Sequence, residues 1–187
     1  MHTFKSDYIV FSAPSGAGKT TIVKELLSKY PDELALSISA TTRPMRSFEE
    51  DGKDYFFLTN DEFTKAIQEQ KFLEFEEVHG NYYGTLIDKV DFQVKIGKVV
   101  LFDIDVKGAE SIKQKYPDAI LIFIKPPDKE TLRDRLVKRK SETEETISLR
   151  LKRLDFEYEQ ARFFDYTIIN NSLEKAVQDV EEVIIVK

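Results

Sequence analysis

The sequence predicts an α/β fold, a parallel sheet covered by helices with a smaller mixed α/β lobe inserted into it. Three observations carry this. Short apolar runs at 8–11, 99–102, 119–124 and 166–169 are each followed by a segment with helical apolar spacing, and strands alternating with helices build a parallel sheet through right-handed crossovers. The first run leads through small residues and glycines straight into a helix. Residues ~38–90 break the alternation and mix short strands, turns and one helix, which marks them as an inserted unit.

The first unit is the most informative. After YIVF at 8–11, Ser12 to Gly18 is small and glycine-containing, and Lys19-Thr20-Thr21 opens a helix with Ile22, Val23, Leu26 and Leu27 on its apolar face. A loop that turns its backbone N–H groups toward a helix N-terminus binds anions, because unpaired donors and the helix dipole converge there. Lys19 adds a mobile positive charge for outer phosphates, and Thr20 a hydroxyl for a magnesium ion. The pattern is that of a P-loop, except that Ala13 stands at its first glycine position. Alanine fits there where φ stays negative.

Along the chain, 30–32 makes a turn and 34–39 alternates like one short strand. Residues 48–54 read as a loop and 55–58 as a strand, and Thr59 with Glu62 forms a capping box for a helix to about 69. A strand follows at 72–78, then a turn at 80–85 carrying Tyr82 and Tyr83. The α/β pattern resumes with the strand at 99–102, a helix at 107–115, the strand at 119–124 and a basic helix at 128–140. Ser141 and Glu144 form a second capping box before a long helix to about 163. The last strand, 166–169, and a helix at 173–183 close the unit.

Composition narrows the chemistry. Among 187 residues there is no cysteine, which excludes disulfides and thiolate metal sites, and the only histidines are His2 and His79. No apolar run approaches the ~20 residues of a membrane span and no signal segment is evident, so a cytoplasmic protein without membrane contact is expected. A net charge of −6 argues against a broad nucleic-acid surface.

Several side chains could carry chemistry, each with a plainer alternative. Asp103 ends an apolar strand, where it can hold magnesium opposite the loop threonine or merely cap a helix. Arg43 and Arg46 can fork onto phosphate oxygens or be surface arginines, and Tyr55 and Tyr83 can join them or pack as rim aromatics. Glu74, inside an apolar strand, either faces solvent or accepts the adjacent N1–H and N2–H of guanine, which adenine's base-pairing edge does not offer. Asp105 and Gly108 spell a DxxG, but no Asn-Lys-x-Asp follows, which disfavours a switch GTPase. Arg133, Arg135, Lys138, Arg139, Lys140, Arg150 and Arg153 form either a solvated face or a lid over a triphosphate.

With these residues in view, the whole chain resembles the guanylate kinases. The likeness runs from SAPSGAGKTT through SATTRPMR, GKDYFF, FLEFEEVHGNYYGT, LFDIDVKG, IFIKPP and SETEETISLRL to TIINNS. It implies a single domain with its core at 1–37 and 91–187, a GMP-binding lobe at about 38–90 and a lid at about 133–153. It also implies transfer of the γ-phosphoryl group of ATP to GMP with Mg²⁺. By this resemblance Ala13, Pro14, Ser15, Gly16, Ala17, Gly18, Lys19 and Thr20 hold ATP, with Asn170 by its adenine. Ser39, Glu74, Thr85 and Asp103 lie near guanine, and Arg43, Arg46, Tyr55 and Tyr83 on the GMP phosphate. Thr20 and Asp105 serve the metal, and Lys19, Arg43, Arg135, Arg139 and Arg150 the transferred group.

The resemblance is incomplete after Arg46. The family's Pro-Arg-x-Gly-Glu is here Met45-Arg46-Ser47-Phe48-Glu49, and Asn171-Ser172 replaces a commoner Asp-Asp. Expected partners are ATP and GMP, with dGMP left open, in a monomer or small homo-oligomer. The rival readings are a kinase for another nucleoside monophosphate and a non-catalytic guanylate-kinase-like module that binds phosphopeptides. Retention of Lys19, Thr20, Asp103 and the lid arginines argues against the latter.

Overall fold

The structure, a computed structural model, describes residues 2–78, 80–138 and 144–186. In chain order the elements are β1 (Tyr8–Ser12), α1 (Lys19–Lys29), β2 (Leu34–Leu36), β3 (Ala40–Thr41), β4 (Phe56–Phe57), α2 (Asn60–Gln68), β5 (Phe72–Val78), β6 (Asn81–Leu86) and α3 (Ile87–Lys95). They continue with β7 (Val99–Asp103), α4 (Val106–Lys115), β8 (Ile120–Lys125), α5 (Lys129–Lys138), α6 (Glu144–Gln160), a 3₁₀ turn at Ala161–Phe163, β9 (Tyr166–Ile169) and α7 (Leu173–Ile184).

The larger sheet runs β2-β7-β1-β8-β9, parallel throughout. Its strands are apolar at nearly every position because both faces are covered. Ile9, Phe11, Leu101, Ile122 and Ile124 meet Ile22, Val23 and Leu26 of α1 and Val177 and Val180 of α7. The alternate residues Val10, Val100, Phe102, Leu121 and Phe123 meet Ala109 and Ile112 of α4. Burying each large side chain stabilises by about 1.5–3 kcal/mol. The chain leaves β1 toward β2 on one side and later passes from β7 to β8 on the other. The order therefore reverses around β1, and a ligand crevice opens beyond the carboxyl ends of the strands.

The smaller sheet runs β4-β3-β6-β5, with β3–β4 parallel and the other pairs antiparallel. Its core is small: Ala40, Phe63 and Leu86 are buried, and the Phe63 ring stacks on Phe72 at 4.3 Å and Tyr82 at 5.3 Å. The Thr59–Glu62 capping box is present and starts α2, which presents Phe63 to the sheet.

Some local expectations need correction. The segment 34–39 is not one strand; it divides between β2 and β3, in different sheets, and 37–39 carries the chain across. The segment 80–85 is not mainly a turn. Gly80 takes the turn at φ +77°, and Asn81 onward is β6, an interior strand paired on both sides. Gly84 looked like turn punctuation but serves close packing: a Cβ there would lie 2.8 Å from the Glu74 carbonyl oxygen. Helix α3 was not foreseen. The basic helix is described to Lys138, and α6 ends at Gln160 before the 3₁₀ turn. Residues 139–143 lie outside the described residues, and with them Ser141 of the second capping box. Helices α5 and α6 pack through Leu132, Leu136, Ile147 and Leu154.

Candidate active site

The loop between β1 and α1 is shaped by its glycines. Gly16 and Gly18 adopt φ +91° and +96°, and Gly18 is the N-cap of α1, so the helix starts with its N–H groups unpaired by any capping side chain. The Ala17 amide donates to Pro14 O at 3.0 Å, closing the loop. Asn170, 6 % exposed after β9, packs on the same loop, and its Nδ2 donates to Ala17 O at 2.8 Å. A Cβ on Gly18 would come within 2.3 Å of that amide nitrogen. Arg135 of α5 reaches over to the same place, donating to Ala17 O at 3.3 Å and Asn170 O at 3.0 Å.

Parallel pairing of Phe11 with Asp103 brings the end of β7 beside the loop. Lys19 Nζ pairs with Asp103 Oδ1 at 2.7 Å and donates to Ile104 O at 2.7 Å. Thr20 donates its hydroxyl to Asp103 Oδ2 at 2.8 Å. A hydroxyl and a carboxylate at a helix N-terminus form a hard oxygen donor set of the kind Mg²⁺ takes alongside substrate phosphates. Asp105 is engaged differently: its Oδ1 accepts from the Gly108 amide at 2.8 Å and caps α4.

Across from the loop, the smaller sheet supplies the other wall. A cavity of about 310 Å³ is lined by Lys19, Asp103 and Asp105 on one side and by Ser39, Tyr55, Glu74 and Tyr83 on the other. The register shift between Phe72 and Glu74 sets Glu74 against Thr85, whose buried hydroxyl donates to Glu74 Oε1 at 2.6 Å. Burial pushes the Glu74 carboxyl above its ordinary value; the Thr85 hydrogen bond opposes this, and the charges of Asp105 and Glu76 add to it. Glu76, although exposed, is raised as well, by partial loss of hydration and then by Asp105.

The connection from β3 to β4 holds the arginines. Arg43 forks onto Glu49, Nη1 to Oε2 and Nη2 to Oε1, both at 2.9 Å. Its guanidinium lies over the rings of Tyr55 and Phe57, 5.2 and 5.6 Å from their centroids. That hydrogen bonding, chiefly from Glu49, raises Arg43 further, with Tyr83 contributing. Glu49 in turn is held down to about 2, by Arg43 and then by the Arg46 amide, which donates to its Oε2 at 2.8 Å. Arg46 itself is exposed.

The structure thus gathers the loop residues, Asn170 and Arg135 at one end of the crevice. It gathers Ser39, Arg43, Tyr55, Glu74, Tyr83, Thr85, Asp103 and Asp105 around the crevice itself. Arg139 lies outside the described residues, as does the side chain of Arg150, whose backbone is in α6. Sequence reasoning missed Glu49 as the partner of Arg43. Its signal was that Glu49, with Arg46, keeps the family's letter where Met45 and Phe48 depart.

A parallel sheet that opens with this loop, its lysine and threonine tied to a strand-end aspartate, defines a P-loop phosphoryl-transfer protein. A family model described as guanylate kinase matches residues 5–186, and the chain belongs to that family. It is 44% identical over 180 residues to guanylate kinase of Thermotoga maritima, covering 96% of this chain and 86% of that one. It is 47% identical over 173 residues to guanylate kinase of Chlorobaculum tepidum, covering 92% and 88%. The crystal structure of guanylate kinase from Anaplasma phagocytophilum superposes with a TM-score of 0.72 at 29% identity, over 97% of this chain and 86% of that chain.

Proposed function

We propose that this enzyme transfers the γ-phosphoryl group of ATP to GMP, giving ADP and GDP. The observation that carries the reading is a single crevice with the P-loop lysine on one wall and, on the other, a half-buried carboxylate beside an arginine–tyrosine cluster. In this reading the core is 1–37 and 91–187, the GMP lobe about 38–90 and the lid about 133–153.

The attacking atom is a GMP phosphate oxygen, anionic near neutral pH, so no strong general base is needed. The protein must align two polyanions and offset their repulsion. The loop of residues 13–18, through backbone N–H groups other than Pro14, which has none, and Ala17, which donates to Pro14 O, receives the donor phosphates with Lys19, and Asn170 borders the donor base. Arg43, Arg46, Tyr55 and Tyr83 receive the acceptor phosphate. Glu74, oriented by Thr85, accepts guanine N1–H and N2–H, with Ser39 nearby. Arg135, Arg139 and Arg150 bring lid charge to the transferred group.

In this reading the two aspartates exchange the roles that the resemblance gave them, and Asp103 keeps the magnesium role that its place at the strand end suggested. Asp103 bonds Thr20 and Lys19, so it belongs with the metal and the donor phosphates. Asp105, unlike Asp103, also lines a neighbouring hollow with Glu74 and Glu76 and its charge raises both carboxyls, so it is taken to the guanine side. Mg²⁺, held through Thr20 and Asp103, would neutralise charge on the phosphate oxygens. No helix among the described residues is long and apolar enough to cross a membrane, and the reading takes the reaction to be cytoplasmic.

The test is ADP release from ATP and Mg²⁺ with GMP, AMP, UMP or CMP as acceptor, against a no-acceptor control. Turnover with GMP alone is expected. Equal turnover with another monophosphate would keep the P-loop assignment and discard the guanine site. ATP binding without turnover on any acceptor would instead favour a binding module.

A further inference from the structure

We infer that Glu49 is a positioning residue for the acceptor phosphate: it fixes Arg43 so that only one edge of the guanidinium is left to meet that phosphate. The inference rests on the reading of Arg43 as a phosphate ligand and deepens it.

The argument is a count of donors. A guanidinium has five N–H groups, two on each Nη and one on Nε. Nη1 donates to Glu49 Oε2 at 2.9 Å and to Pro44 O at 2.8 Å, which uses both of its hydrogens. Nη2 gives one hydrogen to Glu49 Oε1 at 2.9 Å. The second Nη2 hydrogen and the Nε hydrogen remain. They point the same way along one side of the group, and together they make a second fork of the width a phosphate accepts.

Other contacts hold that fork in place. The Tyr55 and Phe57 rings lie against the guanidinium and restrict its tilt. Tyr83 stands against the same cluster, its ring 6.1 Å from that of Tyr55. Tyr55 and Tyr83 both line the crevice, so the guanidinium stacked on Tyr55 stands at its border. Glu49 is itself fixed: its side chain is 7 % exposed, and Oε2 accepts the Arg46 amide at 2.8 Å as well as Arg43. One carboxylate therefore sets the side chain of Arg43 and the backbone of Arg46 together.

Its contribution is direction rather than attraction. A carboxylate behind Arg43 lowers the net positive charge offered to a phosphate. If charge alone mattered, removing it would tighten GMP. In Glu49→Gln the amide can accept from one Nη but turns an N–H₂ toward the other, donor against donor. The fork is then no longer held.

The experiment measures GMP affinity by titration, and guanosine affinity by competition against GMP, in four proteins: the unmodified enzyme, Glu49→Gln, Arg43→Ala and the double variant. Glu49→Gln is expected to weaken GMP by about tenfold, the lower range for a charge-assisted contact, with guanosine and ATP unchanged within twofold. Arg43→Ala should weaken GMP at least as much, and Glu49→Gln should add nothing to it, because the carboxylate acts through that guanidinium. Unchanged or tighter GMP binding in Glu49→Gln, beside a loss in Arg43→Ala, overturns the positioning role alone. Equal losses for GMP and guanosine in Glu49→Gln also overturn it, since a general structural defect would do that. Unchanged GMP affinity in Arg43→Ala overturns the phosphate-site reading and the inference with it.

Discussion

At the residue scale, two side chains separate binding from charge neutralisation. Lys19 meets Asp103 and Ile104 through its ammonium alone, while the Thr20–Asp103 bond and the strand cores do not depend on it. Lys19→Ala is therefore expected to fold normally but to lose about 10²–10³ in kcat, the loss typical of one preorganised charge-stabilising donor. Unchanged circular dichroism with that loss in ADP formation is the expected pair of results; near-normal kcat would remove Lys19 from the phosphates. Glu74 behaves differently because the fold opposes its charge. Its carboxyl is raised above the ordinary 4.5 by burial, so it contributes stability in the protonated form below that value, and this is lost as pH rises through the folded pKa. At neutral pH the ionised group costs stability, while the proposed contact with guanine requires it ionised. Glu74→Gln should then raise Tm by a few degrees and raise KM for GMP about tenfold or more, leaving KM for ATP within twofold. In the unmodified enzyme GMP affinity should fall with acidification from a pH above 4.5, while ATP affinity does not follow.

At the scale of elements, β6 decides whether the wall proposed to meet guanine exists. It lies between β3 and β5, and Gly84 sits where a Cβ would meet the Glu74 carbonyl oxygen at 2.8 Å and the side chains of Phe72 and Phe75 at 2.9 Å. Gly84→Ala is expected to cost about 1–3 kcal/mol, the range for overpacking. It should also move Glu74 off Thr85, so that GMP affinity falls with stability while ATP affinity is kept; a fully stable variant with unchanged KM for GMP would refute the packing argument. The same strand shows where sequence reading ends. The strands of the large sheet were legible because burial on both faces leaves continuous apolar runs, as in VVLF at 99–102. Residues 81–86 were not, because Asn, Gly and Thr there answer to the crevice and to close packing instead of to a hydrophobic face. The loop lysine and threonine, and Glu74 as a carboxylate inside an apolar strand that could turn away from solvent, were readable from chemistry and motif together. For the aspartates two readings diverged: the strand-end position set Asp103 opposite Thr20 while the resemblance gave the metal to Asp105, and the Thr20 hydroxyl bonds Asp103. The Arg43–Glu49 fork was also hidden, because a loop has no period that links residues six apart.

At the scale of the whole molecule, the two sheets are unequally stable, and that inequality bears on function. In the large sheet Ile9, Val10, Phe11, Val100, Leu101 and Phe102 are all fully buried. The small sheet rests on Ala40, Phe63 and Leu86, and three consecutive residues of β5, Phe75, Glu76 and Glu77, are exposed. Its backbone should therefore open locally at lower free energy than the core, as regions with few buried contacts do. In the proposed reaction this weaker unit is the one that must move onto the acceptor nucleotide and shut out water. Ligand binding to the folded lobe alone then stabilises it by mass action, about 2.7 kcal/mol at a ligand concentration 100 times Kd. Native-state hydrogen exchange is expected to show β5 and β6 amides exchanging well ahead of β1 and β7. Saturating GMP should slow the former by up to about 100-fold with little effect on the core strands. ATP alone should instead protect the start of α1, where the loop amides meet its phosphates. Uniform exchange across both sheets would show that the molecule opens as one unit, and protection of β1 by GMP without protection of β6 would place the acceptor elsewhere.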